Sequence, residues 1–424
     1  MKSKISTVVS ESRTSSKSWL IWGIAALFYF YELILRVCPG VMWNDLMVNY
    51  NATATMLGVL VSFYYYAYTM FQLPYGIILD KLGPRNLLGL STILCVIGSV
   101  LFVMTKELYV AQIGRFLVGA GSACAFISCL QIGAKLFSPR DFVIVAGATN
   151  MMGTLGGLFG GYPVAMAVNS IGWKHTTYLL SMVGIVVGIL IFIFIPKGIG
   201  IDDTNKKEGS IFQSVGLLLK NNQILFSGII SGLMYLPIAA FSELWAIPFF
   251  MSKYNINNVK ASIASGILFI GVAIGSVVMA IFARKIHSYM KTIRMSCLLT
   301  GILFLGVIYL PVSIYLSFLM VFFIGFSTGS QVIAFTCAKN NSSPDVSGTT
   351  IALTNCICSF ICAIAQPAFG KLLDFFWDGK MSADGTRFYE TSFYQNAMLI
   401  LPVCLIASYI ISMFVKETIQ LDHE

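Results

Sequence analysis

Charge is scarce in this chain of 424 residues: Asp, Glu, Lys and Arg together make up 11%, against roughly 25% in an ordinary soluble domain. With 57% hydrophobic residues, that shortage excludes a soluble globular fold and points to a protein solvated by lipid. Histidine is scarcer still. His175, His287 and His423 are the only ones, all outside the apolar runs, so carboxylates are the natural proton carriers within the membrane. No G-x-x-x-x-G-K-S/T phosphate loop occurs, which argues against ATP hydrolysis by this chain. The ten cysteines lie in apolar segments and form no spaced extramembrane framework. Even the closest group, Cys356, Cys358 and Cys362, has no accompanying histidine or carboxylate, so a packing role is expected, with no metal and no cofactor. The net charge of +9 comes from basic residues scattered between apolar runs, which argues against nucleic-acid binding.

Apolar runs near twenty residues are what the chain has instead. A helix rises 1.5 Å per residue and the hydrocarbon core is about 30 Å thick, so each such run reads as one crossing. Twelve are expected, near Trp19–Val41, Met56–Leu79, Asn86–Thr105, Leu108–Leu136, Phe142–Val168, Thr176–Ile195, Ile224–Phe250, Ala261–Ala283, Ile293–Leu310, Val312–Cys337, Gly348–Leu373 and Phe393–Val415. The polar start, residues 1–18, precedes the first run for too long to resemble a cleaved signal peptide.

With the N-terminus in the cytoplasm, 18 of the 27 basic residues fall on the cytoplasmic side and seven on the other, which favours both termini inside. The long polar connector on that side, residues 196–223, separates two groups of six spans, 19–195 and 224–415, and leaves a short tail, 416–424. A faint repeat supports two halves. Span one carries Glu32-Leu33 with Pro39 beyond, and span seven carries Glu243-Leu244 with Pro248 beyond, as two parallel repeats around a shared site would give.

After the second span comes GIILDKLGPRN, with Gly76, Asp80, Gly83 and Arg85 in G-x-x-x-D-x-x-G-x-R spacing. Span four carries GRFLVGAG (Arg115, Gly119, Gly121), and span five carries GATNMMGTLGGLFGG (Gly147, Gly153, Gly156, Gly157, Gly160, Gly161). In this order within twelve spans, these resemble the motifs of the major facilitator superfamily of secondary transporters. The resemblance implies an all-α membrane fold of two pseudo-symmetric six-helix bundles, no enzymatic activity, and a monomer working by alternating access. It also implies a gate at the loop motif. Asp80 is placed to accept hydrogen bonds from a neighbouring helix start or to pair with Arg85 or Arg140, and Gly76 to admit a neighbouring helix closely. The counterpart loop of the second half, ARKIHSYMK, keeps positive charge without the acid. The fifth-span glycines are spaced for close helix contact.

Two acids and two bases stand inside the apolar runs: Glu32, Arg36, Arg115 and Glu243. A charge at mid-membrane costs about 2.5–3.5 kcal/mol on the insertion scale, so each needs a partner or a purpose. Glu32 and Arg36 stand four apart with the acid first, the favourable order for an intrahelical pair. The alternative is convergence from spans one, four and seven on a wet central chamber, where the arginines grip a carboxylate and the acids face an amine. Tyr65, Tyr68, Thr69 and Gln72 share one helical face of span two. With Trp245 and Asn355 they enlarge the candidate substrate site, and Glu32 and Glu243 are the candidate proton carriers.

The expected cargo is therefore an amino acid or similar zwitterion, taken up together with protons, and the dependence of uptake on Glu32 tests that coupling. The stretches ELILRVCPGVMWNDLM and YYAYTMFQLPYGIILDKLGPRN resemble the phagosomal nutrient transporters of intracellular bacteria, many of which carry amino acids, and that resemblance implies uptake across a bacterial inner membrane. An organic anion or sugar phosphate held by the arginines is an alternative. So are a multidrug exporter, against which Met152-Gly153 stands where a Gly-Pro form is usual, and a transport-dead receptor or scaffold.

Overall fold

The computed structural model describes residues 16–199, 209–343 and 346–417; the sequence-predicted tails fall almost wholly outside the described residues. The first bundle contains α1 (Ser16–Val41), the short α2 (Trp43–Tyr50), α3 (Ala54–Met104), α4 (Leu108–Ser122), α5 (Ala125–Leu136), α6 (Pro139–Ile171) and α7 (Trp173–Phe194). A linker helix, α8 (Gly209–Leu218), follows. The second bundle contains α9 (Asn222–Leu236), a π-helix (Pro237–Trp245), α10 (Ala246–Tyr254), α11 (Asn258–Lys285), α12 (Tyr289–Tyr309), α13 (Ile314–Thr328), α14 (Val332–Asn340), α15 (Ser347–Phe376), α16 (Thr391–Met398) and α17 (Ile400–Ile411).

Among the described residues, eleven helical stretches are long and apolar enough to cross a membrane. One of them counts twice. The 51 residues of α3 would extend about 76 Å as one rod, more than twice the hydrocarbon core. Gly83, at φ 73° and ψ 160°, folds it into two antiparallel limbs through a backbone region open to little but glycine. Twelve crossings result, in two six-helix bundles. The face where α1 begins, and where Gly83 turns, is called the near face below; the opposite one is the far face.

Four spans depart from the continuous helices expected: spans four and seven, span ten, which passes through a short 3-10 turn at Gly329–Gln331, and span twelve, which is interrupted at Leu399. Span four is interrupted at Ala123 and Cys124, between α4 and α5. There Ser122 Oγ donates to the Val118 carbonyl at 2.8 Å, a back-bond that bends helices. Span seven widens into the π-helix at Pro237, whose missing N–H removes an α-type hydrogen bond; by the end of the stretch the Ala246 N–H reaches the Phe241 carbonyl, five residues back.

The bundles meet along α1 and the π-helix, the first limb of α3 and α15, and α6 and α11. On the far side of this seam the backbones touch. A Cβ at Gly40 would lie 2.0 Å from the Glu243 carbonyl oxygen, one at Gly58 2.5 Å from that of Gln366, and one at Gly370 2.2 Å from that of Ala54. A carboxylate bolts the same edge: Asp374 on α15 accepts from Thr55 N at 2.9 Å, Thr55 Oγ1 at 2.5 Å, Tyr389 OH at 2.5 Å and Arg387 Nη1 at 3.0 Å. Since Thr55 opens α3, an acid from one bundle caps a helix N-terminus of the other. Asn258 Nδ2 adds a bond to the Val41 carbonyl at 2.8 Å, and Asn44 one to Asp384 at 3.1 Å. Toward the near face these contacts stop. Gly76, Gly147 and Gly348 are exposed, with nothing within 4 Å of a Cβ built on them.

Candidate functional site

At mid-depth the seam holds the charged cluster. Glu32, Arg36, Arg115 and Glu243 are 1%, 9%, 3% and 1% exposed, so their partners must come from the protein. Arg36 Nε lies 3.0 Å from Glu243 Oε1, an ion pair between the two bundles. Tyr65 OH ties the pair together: it receives a hydrogen bond from Arg36 Nη2 and gives one to Glu243 Oε2, each at 2.6 Å. Arg36 Nη2 also donates to Tyr235 OH at 3.0 Å. Its guanidinium lies 4.8 Å from the Tyr65 ring centroid and 5.4 Å from that of Tyr235, so aromatic faces support the cation where water is excluded.

The intrahelical pair that the Glu32–Arg36 spacing allows does not form. Arg36 turns across the seam to Glu243, and Glu32 accepts from Tyr64 OH at 2.8 Å. The reason is competition. Glu243 comes with Tyr65 already bonded to it, a two-point partner for a forked guanidinium, whereas an i, i+4 pair on one helix contributes only about 0.2–0.5 kcal/mol. Arg115 stands apart from both acids. It donates from Nη1 to the Leu35 carbonyl at 2.8 Å and lies 5.2 Å from the Tyr64 ring centroid, leaving Nε and Nη2 buried without a partner among the described residues.

The other sequence candidates spread around this core. Tyr68 stacks on Tyr64 at 5.9 Å and is within hydrogen-bonding reach of half-buried Asn355, so these two sit on the near side of the cluster. Gln72 is buried one turn further on. Trp245 stacks on Phe369 at 5.1 Å. Among the described residues neither Gln72 Oε1 nor the Trp245 indole N–H has a hydrogen-bond partner. Sequence reasoning missed Tyr64 and Tyr235. Tyr64 stands beside Tyr65 in a YYY run, so the face drawn through Tyr65, Tyr68 and Gln72 passed it by; Tyr235, two residues before Pro237 in the middle of span seven, belongs to no motif that would single it out.

At the loop motif, the Asp80–Arg85 pair that the spacing allows does not form among the described residues. Asp80 Oδ1 accepts from Gln131 Nε2 at 3.0 Å. Arg85 turns away to α7, donating to the Phe192 carbonyl at 2.6 Å with its guanidinium 5.8 Å from the Phe192 ring centroid. Gly83 makes the turn, Gly76 faces open space, and the Arg140 side chain lies outside the described residues. Among the described residues nothing comes within 4 Å of a Cβ built on Gly76, so the close helix approach expected there is not made. The fifth-span glycines divide by face: Gly153, Gly156 and Gly160 receive α1 through Tyr29, Phe30 and Val37, while Gly157 receives Phe269 of the other bundle. Gly119 lies against the Tyr64 backbone.

The Major Facilitator Superfamily family model matches residues 21–367. The chain belongs to that superfamily. Among curated proteins it is similar to the uncharacterized transporter YybO of Bacillus subtilis, 27% identical over 37% of this chain and 35% of that one. It is also similar to the probable sulfoacetate transporter SauU of Cupriavidus necator, 25% identical over 39% of each. The chain thus spans somewhat more than a third of the length of these relatives. Among solved structures, a bacterial homolog of the human lysosomal transporter Spinster, in an inward-facing and occupied conformation, superposes with a TM-score of 0.76 at 14% identity, covering 95% of this chain and 97% of that one. That likeness shows the fold. Within it, this superfamily member is a multi-pass integral membrane protein whose four intramembrane charges lie at or beside the seam between its bundles.

Proposed function

We propose that this protein is a secondary transporter that takes up an amino acid or a similar small zwitterion by alternating access, working as a monomer in a bacterial inner membrane. The observation that carries the reading is the Arg36–Glu243 pair, with one charge on each side of the seam. Parting the bundles on the far side pulls the two apart. Breaking a buried pair by removing one partner costs about 3–5 kcal/mol, and a zwitterion removes that obstacle by offering a carboxylate to Arg36 and an ammonium to Glu243. A neutral ligand leaves both charges bare. The basic-residue bias puts the near face in the cytoplasm, so the sealed far side and open near side correspond to an inward-open state. Glu32, held by Tyr64 one turn from Arg36, and Glu243 are the carboxylates through which proton movement couples to this exchange.

The test is a thermal-shift screen of the purified protein against amino acids, dipeptides, nucleosides and sugar phosphates, because a ligand that binds only the folded state raises the melting temperature. Amino acids are expected to raise it in the native protein and not in Arg36→Ala. Uptake in proteoliposomes should follow the proton gradient, and pH-independent uptake that survives Glu32→Gln would remove the coupling role. A second reading rests on Arg115, whose Nε and Nη2, without a partner among the described residues, suit an oxyanion alone, and on similarity to a relative named for sulfoacetate transport. Carboxylates or sulfonates without an amine, stabilising the protein as strongly as amino acids and failing only in Arg115→Ala, would favour it.

A further inference from the structure

Outside the seal, on the far face, lies a cleft of about 630 Å³, within the usual size range of small-ligand sites. Its walls come from both bundles: Trp43, Asn44 and Asp45 of α2 face Asn258 of α11 and Arg387 and Tyr389 of the segment between α15 and α16. One of the three charged groups that line it is already satisfied. Asp384 accepts from Thr386 N at 3.1 Å, Thr386 Oγ1 at 2.6 Å and Asn44 Nδ2 at 3.1 Å. Lys380, on the same segment, pairs with Asp378 and Glu390.

Two groups keep unused capacity. Asp45 is half-buried, and among the described residues its carboxylate has no side-chain donor, only its own backbone N–H. Burial holds its pKa above the ordinary carboxylate value, as expected of an acid that lacks a cation beside it. Arg387 spends Nη1 on Asp374 at 3.0 Å and lies 4.2 Å from the Trp377 ring centroid, yet its side chain is 30% exposed. A guanidinium has five donors, so the rest of its fork is open to the cleft. An unmatched acid thus stands on one bundle and an incompletely matched base on the other.

We propose that this cleft is a second ligand site, taking a small amino acid with its ammonium on Asp45 and its carboxylate on Arg387, and that the site exists only while the far face is sealed. The inference rests on the zwitterion reading of the central site and extends it to a separate place. Since each bundle supplies one wall, opening the far face pulls Asp45 away from Arg387. A ligand bridging them favours the closed arrangement by the whole of its affinity there. Such a site makes external amino acid, at high concentration, an inhibitor of its own entry.

Trp43 lines the cleft and serves as the reporter. Purified full-length protein is titrated with each of the twenty standard amino acids while tryptophan emission is followed, in parallel with Trp43→Phe to isolate the Trp43 signal. At least one amino acid is expected to change that signal, with at least tenfold weaker binding in Asp45→Asn, recovery in Asp45→Glu, and little change in Arg115→Ala. A Trp43 signal silent across all twenty, or a response undiminished in Asp45→Asn, overturns the proposal. If amino acids still raise the melting temperature through Arg36 while Trp43 stays silent, this inference fails alone. If neither responds, the zwitterion reading fails and takes this one with it.

Discussion

Replacing Gly40 by alanine should force the far side of the seam open. The added Cβ would lie 2.0 Å from the Glu243 carbonyl oxygen and 2.8 Å from its carbon. Both are main-chain atoms, so no side chain can rotate out of the way, and ordinary contact begins near 3.4 Å. The helices must separate by roughly an ångström, and overpacking of this kind costs about 1–3 kcal/mol. The clash exists only while the far face is closed, so the cost falls on one state alone and shifts the closed-to-open ratio about 5- to 150-fold. Spin labels at Val48 and Met381, both exposed and on opposite bundles, would read this by double electron–electron resonance as a longer far-face distance. Gly370→Ala, 2.2 Å from the Ala54 carbonyl oxygen, should act in the same direction. Gly76→Ala and Gly161→Ala should do nothing, because the first meets open space and the second ordinary contacts at 3.6–3.7 Å. An unchanged distance distribution in a folded Gly40→Ala protein, or an equal shift from Gly76→Ala, would refute the reasoning.

Three further outcomes can be checked. Tyr65→Phe removes the hydroxyl shared by Arg36 and Glu243 and should lower stability by about 1.5–3 kcal/mol, the range for hydrogen bonds to charged groups, read as a drop in melting temperature; no drop would mean that water replaces the hydroxyl at no cost. Asp374→Asn weakens the four-donor bolt on the far side and should lengthen the same Val48-to-Met381 distance, with Thr55→Val giving a smaller change because the Thr55 backbone N–H still binds. The segment between α15 and α16 should stay folded against the first bundle down to about pH 4, the ordinary carboxylate range. The Thr386 hydroxyl and the Asn44 amide hold Asp384 below its usual pKa, so that contribution is present above the unfolded value and is lost as pH falls through the folded one. Pepsin cleavage at this segment between pH 2 and 5 reports it, and early cleavage at pH 5 would contradict it.

The crossings were legible because span length is a property of single segments, and even the short break near Pro311 recurs as the end of α12 and the start of α13. The intramembrane charges were legible for the same reason, each being an oddity in its own run. Their partners were not. Choosing between Glu32 and Glu243 for Arg36 depends on how two bundles face each other, which no local spacing encodes. Tyr64 escaped because a helical face drawn for one neighbour hides the residue about 100° away, and here both Tyr64 and Tyr65 are used, one toward Glu32 and the other toward Glu243. The π-helix escaped because Pro237 signals a disturbed ladder without saying which way it is repaired.

Gly83 leaves its mark on the mechanics. With a single non-helical residue joining its limbs, α3 has no slack, so a tilt of the limb lining the seam is passed directly to the limb lying against α7. In sequence, by contrast, residues 196–223 tether one bundle to the other. Shortening that tether should restrain one bundle against the other while leaving every residue of the charged cluster untouched.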